Sequence, residues 1–275
     1  MSALELAIPF NEGNLFATDW PVKQPKAVVG VIHGFGEHSG RYKHVAGFLN
    51  ERGFAVTSYD LPGHGRTSGK RGHVANYEVL LASVAAFLQF TRERHPNLPI
   101  FLFGHSMGGN ILANFLIRRK PAIQAAVVQA PWLRIPYAPP KLEIWLAKTM
   151  RYIYPSIQVS SKLDPASISR DPAVVAAYKA DPLVHDKITP GWFFGAFEAQ
   201  EYAISHADQI NVPTLVMHGT EDRLAAHSGS VDLVAKGGRS LTFKSWPGLY
   251  HELHNEPEQR DVLQFMASWL ESQLT

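Results

Sequence analysis

The chain has 275 residues, enough for one large domain with a proper core or for two small ones. A 45% hydrophobic and 18% charged composition is that of an ordinary globular protein, and a net charge of +2 gives no sign of a nucleic-acid partner. With no cysteine, disulfides, cysteine-based metal sites and a thiol nucleophile are all excluded.

The N-terminal MSALELAIPFNEG lacks a basic stretch followed by a long apolar run, so no signal peptide is expected. No apolar run reaches the ~18 residues of a membrane span. A soluble, cytoplasmic protein is expected, peripheral to membranes at most.

Two runs, 4–10 and 15–20, straddle an Asn-Glu-Gly-Asn turn and predict an antiparallel hairpin at a sheet edge. Short apolar, β-branched runs follow at 27–33 (AVVGVIH), 54–60, 99–105 (PIFLFGH), 125–130, 212–219 and 241–246. Several are apolar without alternation, which suits strands covered on both faces of a parallel sheet. Helical spacing appears over 77–94, where Val79, Leu80, Val84, Phe87 and Leu88 share a face, and over 109–119 and 257–273. Strand alternating with helix predicts an α/β fold: a mostly parallel central sheet flanked by helices.

Between about 132 and 210 this rhythm stops. No convincing strand is seen there, only Pro-containing turns and helical pieces at 141–154, 172–179 and 191–206. An insertion of this size predicts a helical cap, before the strand at 212–219. The organisation expected is a core in two parts, 1–132 and 188–275, with a cap or lid over 133–187.

Gly104-His105-Ser106-Met107-Gly108 lies between a predicted strand and a predicted helix. In a chain with 21 glycines the pentapeptide alone is a weak signal, and its alternative is a serine in a structural turn. The strand–turn–helix setting is that of a nucleophile elbow. Such a turn lifts the Ser106 hydroxyl to the carboxyl edge of the sheet and aims the Met107 N–H at an oxyanion. His33-Gly34-Phe35-Gly36 ends the third strand, where elbow enzymes carry a second donor; Phe35 N–H is the candidate, and a ligand-free glycine turn the alternative.

Asp222 follows the strand at 212–219 and can reach the same edge, with Glu221 beside it as a rival acid. His251 sits in a loop before the last helix, with His254 as a rival base. The order Ser…Asp…His matches elbow enzymes. A serine hydroxyl needs a base, histidine supplies one near neutral pH, and a carboxylate holds the imidazole tautomer. Of the other histidines, His33, His64 and His105 are read as structural, His38 as a loop or pocket residue and His218 as strand-end packing. No metal spacing such as HExxH occurs, and neither metal nor cofactor is expected.

Five stretches carry a resemblance: 33–42 (HGFGEHSGRY), 59–69 (YDLPGHGRTSG), 104–109 (GHSMGG), 218–223 (HGTEDR) and 251–256 (HELHNE). They resemble the monoacylglycerol lipase family, lysophospholipase-like serine hydrolases of the α/β-hydrolase fold. The resemblance runs from about residue 10 to the C-terminus, strong in the core and weak in the cap. It implies Ser106, Asp222 and His251 as catalytic triad and Phe35 and Met107 as oxyanion donors. It further implies hydrolysis of monoacylglycerols to fatty acid and glycerol, with broad carboxylesterase or lysophospholipase activity as the alternative. Glu37 and Arg41 are candidates either to support the oxyanion loop or to contact a glycerol head. The sequence departs from the mammalian branch at Phe35, where a small residue is usual and a ring would crowd the acyl pocket, and in lacking cysteines near the site.

The partner expected is a small-molecule lipid ester. The segment KLEIWLAKTMRYIY at 141–154 reads either as a lid helix that leans on lipid surfaces or as a helix packed on the core. Oligomeric state is left open by the sequence.

Overall fold

In the computed structural model residues 3–136, 148–150 and 153–274 are described. Among them, an eight-stranded sheet has the order β1-β2-β4-β3-β5-β6-β9-β10. β1 (Leu4–Phe10) and β2 (Gly13–Trp20) form the expected antiparallel hairpin at one edge. Its turn is tighter than the sequence suggests: Phe10 pairs with Gly13, and Asn11 turns the corner at φ +50°. β2 pairs antiparallel with β4 (Phe54–Tyr59). From β4 onward every pair is parallel: β3 (Ala27–Ile32), β5 (Ile100–His105), β6 (Ala125–Gln129), β9 (Thr214–Gly219) and β10 (Leu241–Trp246).

β3, β4, β5, β6 and β9 are buried along their whole length, because helices cover both faces. Val28 and Ile32 of β3 join Leu80, Val84 and Phe87 of α2 (Tyr77–Arg94) and Ile111 and Leu112 of α3 (Met107–Arg119) on one face. Val29 and Val31, pointing the other way, join Val45 and Leu49 of α1 (Lys43–Asn50) with Val262 and Met266 of the last helix. Two cores thus sandwich one sheet, the α/β-hydrolase fold. The sequence did not suggest α1, which is only eight residues long.

The chain leaves β3 toward β4 and returns across it to β5, so the strand order reverses there. In open α/β sheets the crevice at the carboxyl ends beside such a reversal is where ligands bind. The loop after β3 and the turn after β5 both open into it.

Between β6 and β9 lies the inserted region. It contains β7 (Val159–Ser160), a turn at Pro165–Ser167, α4 (Pro172–Ala180), β8 (Lys187–Ile188) and α5 (Pro190–Ser205). The pairing of β7 with β8 corrects the reading that no strand occurs here; two residues each are too few to leave a periodic pattern. Asp171 and Thr189 cap α4 and α5, with Pro172 and Pro190 at the first helical position. α5 is core-like: Trp192 is buried, and Asn114 of α3 donates to the Ala199 carbonyl at 3.0 Å. The predicted helix at 141–154 lies largely outside the described residues. After β9 come α6 (His227–Lys236), also not foreseen, and α7 (Gln259–Ser272).

Candidate active site

Ser106 occupies the turn between β5 and α3 at φ +53°, ψ −114°, a conformation rare for any residue with a side chain. The surroundings enforce it. Ser106 N–H donates to the Gln129 carbonyl at 3.0 Å, and its carbonyl accepts from Asn110 and Trp132, both at 2.9 Å. The flanking glycines are required by proximity. A Cβ on Gly104 would lie 2.5 Å from the Gly108 carbonyl oxygen, and one on Gly108 would lie 2.2 Å from that of Ile32. Met107 opens α3, so its N–H has no partner within the helix.

Asp222 lies in the loop after β9, its side chain buried. Oδ1 accepts from the backbone N–H of Leu224 at 2.8 Å and of Ala225 at 3.0 Å. Oδ2 accepts from His251 Nδ1 at 2.7 Å and from His218 Nε2 at 2.9 Å. Burial alone would raise the Asp222 pKa, but the His251 charge and the two imidazole hydrogen bonds hold it well below the ordinary carboxylate range. Burial likewise disfavours the charged form of His251, yet the Asp222 carboxylate outweighs this and its pKa is raised. Glu221 points to solvent. His254 turns instead to Gln129, donating from Nδ1 to Oε1 at 2.6 Å, and stacks on Tyr42 at 4.9 Å.

His105 packs its ring 4.7 Å from His251; burial pushes its pKa down to about 3, so it is neutral beside a histidine that charges. His33 donates from Nδ1 to the Gly34 carbonyl at 2.7 Å and accepts the Leu61 N–H on Nε2 at 2.9 Å, tying two loops together.

The loop after β3 is held by a buried ion network. Glu37 Oε1 accepts from Gly34 N–H at 2.6 Å and from the Tyr42 hydroxyl at 2.7 Å. Its Oε2 accepts from Arg41 Nη1 at 2.5 Å, and Arg41 also grips Glu252, the residue after His251. Phe35 packs among three rings. Its ring stands edge-on to His64 at 5.3 Å and to His185 at 5.8 Å, and 5.7 Å from Trp192.

Ser106, His251, Gly34, Phe35, Glu37 and His105 line one small cavity of about 20 Å³, together with Leu163, Ile168 and Tyr178 of the inserted region and Leu224 of the loop after β9. The inserted region is tied to the loops beneath it. His185 N–H donates to the Gly36 carbonyl at 2.9 Å, His38 Nε2 meets Asp181 at 2.8 Å, and Glu252 N–H donates to the Ile168 carbonyl at 2.8 Å. Sequence reasoning missed Tyr178, Asp181 and Glu252 because their partners lie far away in the chain, and Tyr42 because nothing local marks its hydroxyl as a donor to Glu37. It also missed the role of His218, although its spacing of four residues before Asp222 was a signal.

Residues 23–258 match the family described as "Serine aminopeptidase, S33". The chain belongs to this family. It is 38% identical over 258 residues to a monoacylglycerol lipase of Mycolicibacterium smegmatis, covering 92% of this chain and 91% of that one. It is 31% identical over 246 residues to the phospholipase YtpA of Bacillus subtilis, covering 88% of this chain and 94% of that one. Among solved structures, the monoacylglycerol lipase of Paleococcus ferrophilus superposes with a TM-score of 0.86 at 33% identity, covering 94% of this chain and 99% of that one. The resemblance to the monoacylglycerol lipase family seen in the sequence thus holds over 92% of the chain, and the protein is a carboxylic ester hydrolase. Among the described residues no helix is long and apolar enough to cross a membrane.

Proposed function

We propose that the enzyme hydrolyses monoacylglycerols to fatty acid and glycerol, with Ser106 as nucleophile, His251 as base and Asp222 as the acid that orients it. The observation that carries this reading is the 2.7 Å bond from His251 Nδ1 to Asp222, made beside a cavity that His251 shares with Ser106. With Nδ1–H committed to the carboxylate, Nε2 is the atom free to take a proton.

Ser106 Oγ attacks the ester carbonyl carbon while its proton passes to His251 Nε2. The carbonyl π pair moves to oxygen, where the Phe35 and Met107 N–H groups stabilise it. Loss of one such donor costs about 3–4 kcal/mol in the barrier. The intermediate collapses, the ester C–O bond breaks, and His251 returns the proton to glycerol. Water repeats the sequence on the acyl-enzyme and releases the fatty acid. Glu37 and Arg41 serve this step by holding the Phe35 loop, and Glu37, which lines the cavity, is where a glycerol head would be met.

Residues 133–187 are proposed to act as a cap. The cavity has room for on the order of one water molecule, so an acyl chain can enter only when Leu163, Ile168 and Tyr178 move aside. Ile153 and Tyr154, 66% and 61% exposed, suit transient contact of a cytoplasmic enzyme with a membrane surface. Co-sedimentation with phospholipid vesicles tests this; no binding at low salt overturns it.

Lysophospholipid hydrolysis is the second reading, favoured by the likeness to a phospholipase. Measuring kcat/KM on monoacylglycerols of several chain lengths, on a lysophospholipid and on p-nitrophenyl esters separates the two. A clear preference for monoacylglycerols supports the proposal, and equal or faster turnover of the others overturns it. Ser106→Ala retaining more than about a hundredth of the activity would overturn the triad itself.

A further inference from the structure

Asp222 is held by four donors, and one of them is a second histidine. Oδ1 takes two backbone N–H groups, which anchor one end of the carboxylate. Oδ2 is shared by two imidazoles, His251 on one side and His218 on the other. His218 is the last residue but one of β9, is fully buried, and packs its ring 5.5 Å from that of His227. Its Nε2 faces two acceptors, Asp222 Oδ2 at 2.9 Å and the Ala225 carbonyl at 3.1 Å, so it carries a proton. The other ring nitrogen is fixed by Ser230 Oγ on α6, at 2.7 Å. The ring is therefore pinned from both ends, and what it presents to Asp222 is a single N–H.

We propose that His218 is a positioning residue for the reaction: its Nε2–H holds Asp222 Oδ2 in the orientation that His251 requires. This rests on the triad reading given above. The side-chain χ2 torsion of an aspartate is soft, and two bonds to Oδ1 alone leave the carboxylate able to rock about that anchored end. Filling one lone pair of Oδ2 with His218 leaves the other aimed at His251 Nδ1. Without His218, a buried oxygen loses a donor and the His251 ring loses a fixed partner.

The same bond bears on the charge that His251 feels. His251 is faced by Asp222 from the loop after β9, with His218 behind it on the same carboxylate, by His105 from β5 and by Glu37 from the loop after β3; Glu252 and His254 lie on its own loop. Of these, Asp222 is the group that raises its pKa most. A donor on the shared oxygen draws charge away from His251, so removing it strengthens the carboxylate's hold on a protonated His251.

The test is the pH dependence of p-nitrophenyl ester hydrolysis by the full chain carrying His218→Leu or His218→Gln. With His218→Leu, kcat is expected to fall about ten- to a hundredfold with KM within about twofold, as for a misaligned catalytic group. The acid limb of kcat/KM is expected to move to higher pH. His218→Gln, whose side-chain amide offers an N–H at a similar reach, is expected to recover most of kcat and the original limb. Should His218→Leu not fold, His218→Asn, too short to reach Oδ2, carries the same expectation. Unchanged kcat and limb in the Leu or Asn variant overturn the proposal, and so does a Gln variant as impaired as they are. Ser106→Ala keeps the two readings apart: if it remains active the triad reading fails, whereas if it is dead while His218→Leu behaves as wild type only the role of His218 fails.

Discussion

Arg41 grips Glu252 through two parallel hydrogen bonds, Nη1 to Oε1 at 2.6 Å and Nη2 to Oε2 at 2.7 Å, although 211 residues separate them. The same guanidinium holds Glu37, so one cation joins the loop that carries Phe35 to the loop that carries His251. Bidentate geometry of this kind fixes orientation as well as distance. Arg41→Met would leave two buried carboxylates uncompensated, at a cost of about 3–5 kcal/mol. For a chain of this size that corresponds to a melting temperature lower by very roughly 10 °C. Urea and thermal unfolding followed by circular dichroism check this; a loss below about 1 kcal/mol would mean that the carboxylates find other partners.

Asp222→Asn should keep the fold and lose about 10⁴-fold in kcat, because an amide at that position no longer enforces the Nδ1–H tautomer of His251. Glu221→Gln, one residue earlier and exposed, should leave kcat within about twofold. The pair of variants decides between the neighbouring acids in one assay. Equal losses in both would remove Asp222 from its assigned role.

The pH profile follows from the direction of the His251 shift. The ring must be neutral to accept the Ser106 proton, and its pKa is raised above the ordinary histidine value of about 6.5. Activity should therefore rise through an acid limb centred above pH of about 6.5, measurable as kcat/KM on a p-nitrophenyl ester. Stability runs as the signs require. The raised His251 pKa adds stability below its unfolded value, lost as pH climbs through the folded one. The lowered pKa values of Asp222 and Glu37 add stability above their unfolded values, lost as pH falls through the folded ones. An acid limb at or below the ordinary histidine value would contradict the His251–Asp222 coupling.

Gly36 and Gly47 should respond in opposite ways to alanine. Gly36 has φ +76°, and a Cβ there would lie 2.6 Å from the His185 carbonyl oxygen. Gly36→Ala should destabilise by about 1–3 kcal/mol and impair turnover, since it pushes the Phe35 loop from the segment above it. Gly47 lies in α1, exposed, with open space where a Cβ would go. Gly47→Ala should stabilise by about 0.5–1 kcal/mol and leave activity alone. Denaturant midpoints for the two variants test both expectations.

Much of this protein was legible along the chain. The parallel strands announced themselves because both faces are covered, which leaves uninterrupted apolar runs such as AVVGVI and IFLFGH. The elbow was legible because its backbone demands glycines at fixed spacing around Ser106, and the strand order placed Phe35 after the third strand. Residues of this kind are dictated by local geometry, and local geometry is written in neighbouring residues. What the tertiary structure alone decided lies between distant segments. It bonded His251 to Asp222 and His254 to Gln129, partners that the neighbouring residues do not reveal, although the resemblance over 251–256 already pointed to His251. It set Glu37, Arg41 and Glu252 into one buried network, and it put His218 on the same Asp222 oxygen as His251. It packed Phe35 against His64, His185 and Trp192 while leaving it in the lining of the small cavity it shares with Ser106, where the sequence suggested a crowded acyl pocket. Each of these depends on which side chains a sheet and its crossovers bring within hydrogen-bond or ring contact, and that distance is fixed only once the chain has closed on itself.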